Sequence, residues 1–167
     1  MSSIEPPATR RDVAASGDGL ALLLASGTCV CAIPVQYVVE TMRPLPIEPV
    51  SGVAAYVRGV AVVRGTPMPV VDLRALRDDD ASTESYGRFV TVRVGTRLAV
   101  LAVDDVIGIR HLDARDLHDV PPLLRDARRD LVDAIGACDA QMLVVLQAMR
   151  IVPDDVWTTL KLSASSQ

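Results

Sequence analysis

Apolar residues in this chain come in short runs separated by turn chemistry, a pattern that predicts strands far more than helices. Residues 20–25 and 28–33 are two such runs, joined at Ser26-Gly27, and read as a hairpin. Residues 60–63 and 68–73 read as a second. Between them stands Arg64-Gly65-Thr66-Pro67, where Gly65 permits a positive φ and Pro67 presets the backbone, so Arg64 is held at the mouth of a turn. Pro69 would interrupt a central ladder, which predicts that its strand lies at a sheet edge or is bulged. Residues 89–94 and 97–103 flank Gly95-Thr96, the cleanest hairpin signal in the sequence. A last pair, 135–138 and 142–147, meets across Asp139-Ala140.

Helical spacing occurs twice. Val35, Val38, Val39 and Met42 predict a short helix over 34–42, opened by Pro34 and stopped by Pro44. Asp154 and Asp155, followed by Val156, Trp157 and Leu160 on one face, predict a short terminal helix. The rest is connector. Pro44, Pro46 and Pro49 give an extended link, residues 74–87 with Asp78-Asp79-Asp80 a solvated loop, and 113–130 a charged surface segment with a turn or two of helix. Asp104-Asp105 closes a strand and suits capping better than acid–base chemistry, since adjacent side chains diverge.

The chain also resembles itself. Gly27-Thr28 and the run to Val38 align with Gly95-Thr96 and the run to Val106, and the later hairpins align as Gly59-Val60 with Gly136-Ala137. Halves of about 70 residues, each with about five strands if the segments near Ile47 and Ile107 count, predict two small barrels with a groove between them. The expected division is a disordered arm over 1–18, a domain of two intertwined barrel lobes over 19–160, and a frayed end over 161–167.

Composition narrows the function. Of 167 residues half are hydrophobic but only 3% aromatic, which favours packed sheets over aromatic-lined ligand pockets. A net charge of -4 with scattered Lys and Arg leaves no footprint for nucleic acid. Three cysteines, with Cys29 and Cys31 on one face of a strand, are core thiols rather than a disulfide framework or metal set, and no cofactor is expected. No apolar run reaches the length of about 18 residues that spans a bilayer, so a cytoplasmic location is the default. His111 and His118 stand in a polar connector with no phosphate cradle or paired nucleophile, which argues against an enzyme.

The stretch from Tyr56 through Val57-Arg58-Gly59 to Arg64-Gly65, followed by Pro67-Met68-Pro69-Val70-Val71-Asp72-Leu73-Arg74, resembles the signature of CheW-like chemotaxis coupling proteins. Ile33-Pro34 with Val38 and Glu40, Val103-Asp104-Asp105-Val106, and Gly136 with Met142-Leu143-Val144-Val145 resemble the family's other segments, so the likeness covers residues 19–152. It implies a mainly β fold of two pseudo-repeated five-stranded SH3-like barrels with short helices. It also implies a non-catalytic adaptor between the cytoplasmic tip of methyl-accepting chemoreceptors and the regulatory domain of a CheA-like histidine autokinase, recruited to receptor arrays. By position, Val38, Glu40, Arg58, Gly59, Arg64 and Gly65 fall where such proteins meet receptor or kinase. Arg64 reads equally as a brace between the lobes, and Val38 as core. Departures at Cys31, Val62, Ile107-Gly108 and Gln147 leave open an alternative, a scaffold in a non-motility pathway that engages only one of the usual partners.

Overall fold

The computed structural model describes residues 19–77, 85–119, 132–147 and 150–165; the expected arm, the Asp78-Asp79-Asp80 loop and the Pro121-Pro122 segment lie outside them. Ten strands run in order: β1 (Leu20–Ser26), β2 (Cys29–Pro34), β3 (Val38–Met42), β4 (Val57–Val63), β5 (Thr66–Asp72), β6 (Arg88–Val94), β7 (Arg97–Val103), β8 (Asp105–His111), β9 (Val132–Cys138) and β10 (Gln141–Leu146). A short helix α1 (Leu73–Arg77) follows β5, and α2 (Asp154–Ser165) closes the described chain. The helix thus carries on to Ser165, into the stretch expected to fray.

Two five-stranded sheets result, ordered β8-β1-β2-β10-β9 and β3-β6-β7-β5-β4. Shifting each strand by five positions turns one order into the other, so the internal repeat of the sequence is a repeat of topology. Each sheet is one lobe of the mainly β, SH3-like pair of barrels. The lobes are not the sequence halves, however: the leading hairpin of each half is exchanged. The second lobe is built from the contiguous stretch β3 to β7, while the first joins β1 and β2 to β8, β9 and β10. The chain crosses between lobes twice, through the 3-10 turn Val35–Tyr37 and through Asp104.

Exchange explains the continuous apolar runs. On β2, Cys31 and Ile33 face a central cluster shared by both sheets, with Leu22, Leu24, Val144, Val90, Val92 and Leu101, whereas Val30 and Ala32 face the interior of the first lobe with Leu23, Leu143 and Val145. A third cluster around Phe89, Met68 and Val100 fills the second lobe. Strands buried on both faces need apolar residues at every position, and each fully buried Leu or Val contributes about 1.5–3 kcal/mol. The expected groove between lobes is therefore a packed core. Cys29 and Cys31 are both buried and neither is in a disulfide, as their spacing predicts.

Two expectations fail at edges. Residues 38–42 are strand, not helix: Val38, Glu40, Thr41 and Met42 pair with Val92, Thr91, Val90 and Phe89 of β6. Spacing of 35, 38, 39 and 42 fitted the helical period, but β-branched Val38, Val39 and Thr41 beside an open sheet edge decided for the strand. Nor is β5 an edge, since it lies between β7 and β4; of the edge or bulge expected at its strand, the register irregularity falls on the partner, between Val57 and Gly59 of β4. Val60, opposite Pro69, spends its N–H and C=O on Glu48 at 2.8 Å each, and parallel pairing with β7 starts only at Val70, so the missing proline N–H is not needed there. The edge strand is β4, and the element expected near Ile47 reduces to this Glu48 bridge.

Candidate functional site

β3 and β4 stand at opposite ends of their sheet order, yet a salt bridge joins them. Arg64 follows β4 at φ 50°, a left-handed conformation uncommon outside glycine, and Gly65 continues it at φ 81°. This turn aims the guanidinium across the seam at Glu40, where Nε and Nη2 donate to the two carboxylate oxygens at 2.8 Å each. The pair closes the barrel. It remains open to solvent, with the Arg64 side chain 79% exposed and that of Glu40 26% exposed. Val39 on β3 and Val62 on β4 are exposed on the same two strands, Val62 at 59%.

Hydrogen bonds from Arg64 hold the Glu40 carboxyl below its ordinary range, against a smaller opposing effect of burial. A depressed folded-state value means that the pair is intact above the ordinary carboxylate pKa of about 4.3 and is lost as pH falls through the lower folded value. An NMR titration is expected to place the Glu40 midpoint below that of an unpaired glutamate. In Arg64→Ala it is expected to rise to that of an unpaired glutamate or above, since the effect of burial remains; an unchanged midpoint would mean that the pair does not form in solution.

The six residues singled out by sequence separate into distinct settings. Glu40, Arg64 and Gly65 meet at the seam. Val38 starts β3 half-buried against the central core. Arg58 lies at the far end of β4 from Arg64, about 20 Å away along a strand. Its Nε donates to Asp72 at 3.2 Å, and Asp72 is only 1% exposed. Gly59 is buried, at φ 145°, where a Cβ would lie 2.0 Å from the Glu48 carbonyl oxygen. The lobe-bridging reading of Arg64 is corrected: its brace lies within one lobe.

Sequence reasoning passed over the residues that hold this end together. Asp72 accepts from Arg58, from the Tyr86 hydroxyl at 2.9 Å and from the N–H groups of Arg74 and Ala75 at 2.9 and 3.2 Å, so it caps α1 and anchors Arg58 at once. Asp104 accepts from Arg74 and from the Gly27 N–H, both at 2.7 Å. The only signal was their place in the quoted motifs.

In the first lobe the equivalent turn residue is Asp139, also left-handed at φ 55°. There Arg110 of β8 donates to the Cys138 sulfur of β9 at 3.3 Å, in place of a carboxylate bridge. A cavity of about 740 Å³ opens beside it, lined by Arg110, His111, Asp113, Arg115, His118 and Cys138 among others. Its most polar pair is internally satisfied, Asp113 with Arg115 at 2.7 Å, which holds the Asp113 carboxyl down at about 2. Among the described residues no cluster of His, Cys, Asp and Glu has the geometry to hold a metal, and no helix is long and apolar enough to cross a membrane.

Residues 19–156 match the CheW-like domain family. The chain belongs to that family. Its relatives include the chemotaxis protein CheW of Rhizobium meliloti, 27% identical over 66% of this chain and 72% of that protein, and the chemotaxis protein CheW of Helicobacter pylori, 25% identical over 74% and 75%. Protein FrzA of Myxococcus xanthus is 30% identical over 57% of this chain and 59% of its own length. Among solved structures, the scaffolding protein TtCheW from Thermoanaerobacter tengcongensis superposes with a TM-score of 0.65 over 77% of this chain and 88% of that one, at 18% identity. The CheW-like fold is therefore shared where little sequence is.

Proposed function

We propose that this CheW-like chain is a non-catalytic adaptor that couples the cytoplasmic tip of a chemoreceptor to the regulatory domain of a CheA-like histidine autokinase, acting in the cytoplasm at receptor arrays. The observation that carries the reading is the exposed Arg64–Glu40 pair on the seam of the second lobe, on whose two strands Val39 and Val62 are also exposed. Apolar side chains beside a guanidinium supply the desolvated area and the directional hydrogen bonds that protein partners use. Val38 seats β3 and Gly65 shapes the turn that carries Arg64, while Arg58, by its place on Asp72, and Gly59 act at the far end of β4.

Arg64→Ala is expected to keep the fold, because the pair is solvent-exposed, and to weaken capture of kinase domain or receptor tip by about tenfold or more. A pull-down with purified partners, paired with a melting curve, checks this. Unchanged capture by both partners would remove the seam from the interface. A second reading, a scaffold that engages one partner only, is favoured by the first lobe, whose seam carries Arg110 and Cys138 instead of an ion pair. Failure of the unaltered chain to capture one of the two partners, with Arg110→Ala leaving capture of the other intact, supports that narrower role.

A further inference from the structure

We propose that Asp72 and Asp104 form a relay coupling Arg58 in the second lobe to the Gly27 turn in the first; its use in signalling rests on Arg58 being a partner contact, its existence does not. The links are continuous. Arg58 donates to one oxygen of the buried Asp72 carboxylate, whose other oxygen accepts the backbone N–H of Arg74. The Arg74 side chain then leaves α1 and its Nη2 reaches Asp104 Oδ2 at 2.7 Å. That same oxygen accepts the Gly27 N–H at 2.7 Å.

Position makes this chain of bonds a link between lobes. Asp104 is the crossing residue between β7 and β8, and its own N–H donates to the carbonyl of Ala25 on β1 at 3.0 Å. Gly87 backs it so closely that a Cβ there would lie 1.8 Å from the Asp104 carbonyl oxygen, which leaves the crossing no slack on that side. The Arg74–Asp104 pair is about one-third exposed on each partner, so it is accessible to competition and yet geometrically fixed. At the other crossing the repeat places exposed Gln36 where Asp104 would stand. Only one of the two crossings therefore carries a carboxylate clasp, and a pull on Arg58 has a one-sided route to the first lobe. Such a route requires demonstrated energetic coupling, not proximity alone.

Residue-resolved amide exchange of the whole chain by NMR tests it at Gly27. Arg74→Gln, which keeps the backbone N–H on Asp72 but removes the side-chain link, is expected to speed Gly27 exchange about tenfold. Arg58→Gln alone is expected to speed it by a smaller factor, and to add nothing on the Arg74→Gln background, while amides of the β6–β7 hairpin stay protected. Independent, multiplying effects of the two substitutions, or no effect of Arg58→Gln at Gly27, would overturn the relay. Asp104→Asn serves as the severing background if Arg74→Gln fails to fold. A missing effect at Gly27 alongside lost partner capture in Arg58→Gln defeats the relay and leaves the adaptor reading standing; an effect at Gly27 with capture intact supports the relay and removes Arg58 from the interface.

Discussion

Gly59→Val is expected to destabilise the fold by about 3–5 kcal/mol, the range of a backbone position that admits no side chain. At φ 145° the residue is in a region that L side chains rarely adopt, and the new Cβ would enter the Glu48 carbonyl oxygen. Either the Glu48 segment lifts off β4, losing both 2.8 Å backbone bonds to Val60, or β4 shifts away from β5. For a chain of this size the melting point should fall by roughly 10 °C. Gly65→Val is the control. A Cβ at Gly65 meets nothing within 4 Å, so only its φ of 81° is strained, at a cost of about 1–2 kcal/mol. Equal losses at the two sites would show that backbone conformation, not the Glu48 approach, governs Gly59.

The second large effect is expected at Asp72. Asp72→Ala removes the acceptor shared by a guanidinium, a phenol and two helix-start N–H groups at a position only 1% exposed, and removal of one member of such a cluster costs about 3–5 kcal/mol. Chemical denaturation measures the loss, and a change under about 1 kcal/mol would mean that water replaces the carboxylate freely. Tyr86 supplies a second readout. Burial, and after it the Asp72 carboxylate, push the phenol up to about 12. Because the neutral form is favoured in the fold, its contribution is present below the ordinary tyrosine value of about 10 and is lost as pH rises from there through 12. The Tyr86 titration should move down in Asp72→Ala.

Much of the fold was legible because burial leaves a plain signature. Hairpins over β1–β2, β6–β7 and β9–β10 stood out as apolar runs around Ser26-Gly27, Gly95-Thr96 and Asp139-Ala140, and the repeat predicted two lobes of like topology. β3 was not legible: its apolar spacing satisfied a helix, and only the open edge of β6 makes it a strand. The exchange of leading hairpins was equally hidden, since local pattern says that a strand is buried but not against which partner. Pro69 misled for the opposite reason. Its local rule was sound, but Glu48 and the late start of β7 pairing relieved it from outside the window.

At the site, chemistry was legible and connection was not. Arg64 at a turn mouth could be read from Gly65 and Pro67, but its carboxylate partner, 24 residues earlier, depends on curvature that brings β3 to the end of β4. Asp72 sat within a quoted motif without a role and Asp104 was read only as a capping carboxylate, because the partners of each lie distant in sequence. The same geometry ties the two parts of the candidate surface to different duties. Arg64 faces solvent on a half-buried carboxylate, whereas Arg58 holds a buried one.

Co-purification from the native cell tests the adaptor role most directly: the tagged chain is recovered from cells that express it and its partners are identified by mass, beside Arg64→Glu as the reversed-charge comparison. A histidine autokinase and a chemoreceptor are expected with the unaltered chain, and at least one of the two should be lost from Arg64→Glu. Recovery of neither with the unaltered chain would contradict the coupling of receptor to kinase.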